Sequence, residues 1–393
     1  MPSLTPYNQV LGSRNAKHLL RRATFRFSNE DQLRLAEMTG VDAVNLLLEE
    51  TTNALLEPYD PYPTNEPHGY WTSSGEHPNT FNGQGRKRAI VTAWWWYNAQ
   101  CDLSLKHKMS FFLHSCFTVG KDSGAGYSSN FYDHLRLLDQ FALGNVKTLA
   151  KKMTLDNSML NYLDNTSNNA NNPNENYARE FLELFTILKG PQIGEGDYTN
   201  YTEVDVQQAA RVFSGFKRRF DRTIIDPDTN LPMGYGNKNQ HDAEDKTFSH
   251  AFNNRVISGK NTIAGMFEEL DEFVEMVFEK EATAKAYCRR LYRYFIKSEV
   301  SSQAESDIIN PLAELLVQNN YEIAPVVAKL LSSEHFYDED NADNSDEIFG
   351  AIIKSPIQVF SEVCSLFEVD FPDPNSNALR FYINFFIFFA HNS

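Results

Sequence analysis

Residues Asn172 to Leu188 read NPNENYAREFLELFTIL, and this stretch decides the fold. Asn172 fits an N-cap, with Pro173 at the first helical position and Glu175 placed to reach back to the cap. Asn174 lies inside that first turn. At 100° per residue, Tyr177, Ala178, Phe181, Leu182, Leu184, Phe185 and Leu188 fill one broad apolar arc. Glu175, Asn176, Arg179, Glu180 and Glu183 fill the other. Glu175–Arg179 and Arg179–Glu183 are i,i+4 pairs of opposite charge. The polar face is either solvated, the commoner outcome for an amphipathic helix, or turned inward to line a cleft. In a cleft its carboxylates would serve as acid, base or metal ligand.

The helical pattern extends outward in both directions. Ser13, Ser28 with Asp31, and Thr39 with Asp42 are candidate caps near the N-terminus, and Thr202 with Asp205 is another. Residues 51–85 are rich in Pro, Gly, Asn and Thr and read as a long loop. Helices are expected over 86–100, which carries Trp94, Trp95 and Trp96, and over 103–117, 130–142 and 145–162. Residues 217–262 turn irregular, with room for a small hairpin. From Phe267 to about Phe367 the pattern is helical again. The expectation is mainly α: one multi-helix domain over residues 1–393, with its core at about 10–370 and an atypical tail over 371–393. The tail's Phe381–Ala390 run is too short to span a membrane.

Composition narrows the function. The chain has 393 residues, 41% of them hydrophobic, with 29 Phe and 18 Tyr, enough for a substantial core. A net charge of −16 argues against binding nucleic acid or an anionic membrane surface. Cys101, Cys116, Cys288 and Cys364 are scattered, with no CxxC spacing, which suits buried thiols in a reducing compartment. The N-terminus shows no apolar signal-peptide core, so a cytoplasmic location is expected. Serine-hydrolase elbows, HExxH helices, EF-hand loops and GxGxxG turns are absent from the sequence.

Five blocks carry a resemblance. HLLRRATF (His18–Phe25), MSFFLHSCF (Met109–Phe117), PNENYAREFLELFT (Pro173–Thr186), HDAEDKTF (His241–Phe248) and KSPIQVF (Lys354–Phe360) occur in the order found in the bacterial domain-of-unknown-function 1800 family. The chain is similar to that family from residue 18 to 360. The resemblance implies a large helical protein of unassigned biochemistry, with a sulfatase-like protein as a suggested partner. Two departures stand out. The family's FWHNHF block puts a second histidine where this chain has Cys116, and a Trp where it has Leu113. The family also continues past this chain's end with a Pro-Pro-Asn and Gly-Trp segment unlike Asn375–Ser393.

The candidate site residues follow from these blocks. His114 is either a hydrogen-bonded core histidine or a ligand or general base. His241 and Asp242, with Lys246 beyond, are either a turn pair or an acid/base and ligand set. His18, Arg21 and Arg22 share a helix and either hold an anionic ligand or pair with Glu175, Glu180 or Glu183, the pairing being favoured. The combined expectation is a polar pocket between these helices. His114, Glu175, Glu180, Glu183, His241 and Asp242 would be its catalytic groups. His18, Arg21, Arg22, Asn174, Arg179 and Lys246 would bind substrate. Such a site suits a hydrolytic enzyme, with a divalent metal as candidate cofactor. The alternative is a non-catalytic accessory protein.

Overall fold

Several helices begin at a side chain that closes their own first turn. Ser28 with Asp31 and Thr202 with Asp205 each form a complete capping box. Thr39 accepts from the Asp42 amide and donates to its carboxylate. These local bonds satisfy amides that a helix start otherwise leaves unpaired. The computed structural model describes residues 2–49, 57–73, 81–340, 347–369 and, beyond them, 371, 372, 374 and 377. Almost all of the expected tail, including Phe381–Ala390, lies outside the described residues.

The fold is mainly α. The first three helices are α1 (Gly12–Ala23), α2 (Asn29–Ala36) and α3 (Gly40–Glu49). After the connecting segment come α4 (Gln84–Cys101), α5 (Leu105–Cys116) and α6 (Ser128–Gln140). The helix expected over 145–162 is two: α7 (Val146–Met153) and α8 (Asn157–Tyr162). Asp156 separates them, because its carboxylate caps α8 by accepting from Met159 N.

The deciding stretch also differs from its expectation. The helix α9 (Glu175–Glu180) starts two residues later and passes into a π turn over Phe181–Phe185. The cap is Asn174, whose side chain accepts from Asn176 N and donates to the Asp164 carbonyl. In the π turn, Thr186 Oγ1 donates to Phe181 O and Tyr287 Oη donates to Phe185 O. These hydroxyls take over carbonyls near the turn.

The remaining helices are α10 (Glu203–Val212), α11 (Ile263–Phe278), α12 (Glu281–Phe295), α13 (Ser302–Ala304), α14 (Asn310–Gln318), α15 (Ala324–Leu331) and α16 (Pro356–Leu366). A second π turn over Glu305–Ile309 links α13 to α14. Three antiparallel two-stranded ribbons interrupt them: β1 (Gln192–Gly194) with β2 (Asp197–Tyr198), β3 (Phe216–Lys217) with β4 (Tyr235–Gly236), and β5 (Lys246–Thr247) with β6 (Val256–Ile257). The last two occupy the irregular region; the first was not anticipated.

Buried apolar side chains from Tyr7 to Ile348 form one connected cluster. The three tryptophans of α4 are all within it, and Trp96 Nε1 donates to Ser361 Oγ at 3.1 Å, tying α4 to α16. The described part of the expected loop is pinned to the same helix. Lys87 and Asp60 form a wholly buried ion pair at 2.6 Å, and Lys87 also donates to the Pro67 carbonyl. Its last two residues belong to α4. No helix among the described residues is long and apolar enough to cross a membrane.

Candidate anion-binding site

The basic face of α1 is set by spacing. Arg14, Lys17, His18, Arg21 and Arg22 recur at intervals of three and four residues, so they share one side of the helix. That side opens on a cavity of about 500 Å³. Its opposite walls come from α5, the end of α12 and the segment 349–358. Tyr294 Oη donates to the Lys108 carbonyl, which holds α12 against α5. Gln358 Nε2 donates to Arg21 O and Arg22 Nη2 donates to Ile348 O, which hold the last wall against α1.

Seven cations line this cavity. Arg14, Lys17, Arg21 and Arg22 come from α1, Lys108 from α5, Arg293 from α12, and Lys354 from the segment before α16. Among the described residues, no carboxylate lines it. Glu362 stands behind the wall as counter-charge, paired with Lys354 and 3.8 Å from Arg21 Nε. Phe25, Phe111, Tyr294 and Phe349 supply an aromatic floor.

The electrostatic strain is visible in three groups. Lys108 is only 2% exposed, with its Nζ 4.5 Å over the Phe25 ring. Burial pulls its ammonium down to about 7; Glu362 opposes this, while Arg22 and Lys354 add to it. Burial lowers Arg22 to about 10 against the pull of Glu362. His18 falls to about 3, first through burial and then through Arg22, so it is neutral near pH 7. Its ring stacks on Phe349 at 4.1 Å, and its buried Nε2 has no protein partner. Positive groups this close repel, and burial limits screening by salt. An anion in the cavity would relieve that repulsion.

The other sequence-derived candidates lie in separate groups. Arg179 makes a bidentate pair with Glu203 and a second pair with Glu175 at 3.1 Å. The expected Arg179–Glu183 pair does not form. Glu183 accepts instead from Tyr201 Oη at 2.8 Å and pairs with Lys189 at 2.8 Å. Burial raises the Glu180 carboxyl, and Glu183 raises it further. The favoured pairing of His18, Arg21 or Arg22 with these glutamates is replaced by the contacts to Glu362 and Ile348.

His241, Asp242 and Lys246 form another group. Lys246 donates to Glu269 at 2.5 Å, and His241 Nε2 lies 3.2 Å from the other oxygen of the same carboxylate. All three side chains are wholly buried. Asp242 makes a bidentate pair with Arg211, at 2.7 and 3.0 Å. Burial alone would raise Asp242, but the Arg211 guanidinium holds it below the usual carboxylate range. These bonds fasten the 241–246 loop to α10 and α11.

His114 sits apart, on α5, its ring 6.0 Å from that of His134 on α6. Cys116 is buried, and burial pushes its thiol up. Among the described residues these groups stand apart from one another, and no three His, Cys, Asp or Glu side chains form a metal shell. Sequence reasoning overlooked Arg14, Lys17, Lys108, Arg293 and Lys354. The first two were legible, since they continue the spacing of His18, Arg21 and Arg22.

The family model for a protein of unknown function, DUF1800, matches residues 18–384. The chain therefore belongs to that family. No curated protein and no solved structure matches it.

Proposed function

We propose that the protein binds a small anionic ligand with an apolar body, of the class of aryl phosphate or sulfate esters, in the cavity beside α1. One observation carries this: among the described residues, seven basic side chains and no carboxylate line a space of about 500 Å³ in a chain whose net charge is −16. That volume suits a small molecule. The arginine forks suit phosphate or sulfate oxygens, and the aromatic floor suits a ring.

Recognition is favoured over cleavage. A hydrolytic site needs a base or nucleophile at the wall; His18, held near pKa 3, is a weak base at neutral pH, which leaves that work to Lys108, a group the neighbouring cations suit better to holding an anion. The accessory alternative, beside a sulfatase-like partner, gains only from sulfate being one of the anions that suit the cavity.

The test is calorimetric titration with phenyl phosphate and phenyl sulfate. Both should bind wild type, and Lys108→Met or Arg22→Gln should weaken binding by about 10- to 100-fold, as loss of a charge-assisted bond predicts. No heat with either probe, or unchanged affinity in both variants, would sink the proposal. Turnover of either ester would reinstate the hydrolytic role.

A further inference from the structure

Two imidazoles meet where α5 packs on α6, away from the basic cavity. The rings of His114 and His134 stand 6.0 Å apart at an interplanar angle of 73°. Each ring has one engaged nitrogen. His134 Nδ1 lies 3.0 Å from Asp156 Oδ1, and the His114 ring is hydrogen-bonded to the backbone of Val119. In each ring the Nε2 is buried and has no protein partner. One turn before His134, and so on the same face of α6, Asn130 Oδ1 is also buried and unpartnered.

The hydrogen-bond roles narrow the occupant. A neutral histidine that donates from one nitrogen presents a lone pair on the other. The two Nε2 lone pairs and the Asn130 amide oxygen are thus three buried acceptors without a partner. Leaving such atoms buried and unpaired is costly, and a cation satisfies them.

We propose that His114 and His134 jointly bind one divalent transition-metal ion through their Nε2 atoms. The spacing suits it. Metal–nitrogen distances of about 2.0–2.1 Å put two ligating ring centroids roughly 4.5–6.5 Å apart, depending on the angle at the metal. The backing also suits it. A ligating histidine commonly donates its other N–H to a carboxylate or a backbone carbonyl, and these two rings have one of each kind of partner. Asp156 is itself fixed, since the same oxygen accepts from Met159 N at 2.7 Å as it caps α8. With no third His, Cys, Asp or Glu in the group among the described residues, the other positions fall to water and to Asn130. The ion is therefore exchangeable, unlike that of a four-ligand structural zinc site.

The probe is Zn²⁺ alone, added to untagged, chelator-treated protein in a calorimeter. One equivalent should bind. His114→Ala and His134→Ala should each weaken binding at least about tenfold, as loss of one of two protein ligands requires, while His68→Ala, on an exposed side chain, should leave it unchanged. Arg22→Gln should also leave it unchanged, which separates this site from the anion cavity. Should either alanine variant fail to fold, zinc-edge X-ray absorption on wild type decides: imidazole scattering from two ligands is expected. Less than one equivalent bound, binding that survives the His114→Ala/His134→Ala double variant, or a spectrum without imidazole overturns the proposal.

Discussion

Lys246 and Glu269 form an ion pair at 2.5 Å with neither side chain open to solvent. The same carboxylate faces His241 and accepts from Lys260 N at 2.6 Å. Breaking a buried pair from one side strands a charge, typically at a cost of about 3–5 kcal/mol. Glu269→Gln should therefore destabilise the protein by about that much, read from urea unfolding, and Lys246→Met added to Glu269→Leu should recover a large part of the loss. A cost under about 1 kcal/mol for the single change would mean that water reaches the pair.

Lys108 gives a pH dependence with a definite sign. Its folded pKa of about 7 lies below the ordinary lysine value, because burial disfavours the ammonium. Between about 7 and 10.4 the unfolded chain holds more protons at this group than the folded one. Its contribution to stability thus rises with pH across that window and is least below about pH 7. Anion binding runs the opposite way, since it needs the charged form. Phenyl sulfate, whose own charge is constant, should bind about tenfold more weakly near pH 8.5 than near pH 6, and Lys108→Arg should flatten the profile. A wild-type affinity that is flat over this range would remove Lys108 from the site.

Arg179 and Glu203 provide the contrast. Their side chains are 33% and 39% exposed, so the pair forms largely in solvent. Glu203→Gln should cost under about 1 kcal/mol, and less still in high salt. Thermal unfolding at two salt concentrations measures it; a salt-independent loss of several kcal/mol would show that the pair is buried in solution.

What could be read from the sequence was local. Ser28–Asp31 and Thr202–Asp205 were legible because a capping box needs only four consecutive residues. The start of α9 was misplaced because Asn172 and Asn174 are both good caps, and the bond from Asn174 to the Asp164 carbonyl that selects the second is tertiary. The π turn was not legible either, since the Tyr287 hydroxyl that takes the Phe185 carbonyl lies on α12. The β1–β2 hairpin did have a signal in Glu195–Gly196, where Gly196 adopts φ of +73°. For the candidate site, the α1 face could be read from its spacing. Lys108, Arg293 and Lys354 could not, because distant chain segments bring them to it.

The Lys87–Asp60 pair changes the character of the segment before α4. Residues 57–73 look like connecting coil, rich in Pro, and such coil is usually the first place a protease nicks. Here, peeling the segment away means parting opposite charges that solvent does not reach. Scission near Asp60 would then follow the melting of the whole core, so the segment would serve as a reporter of global unfolding.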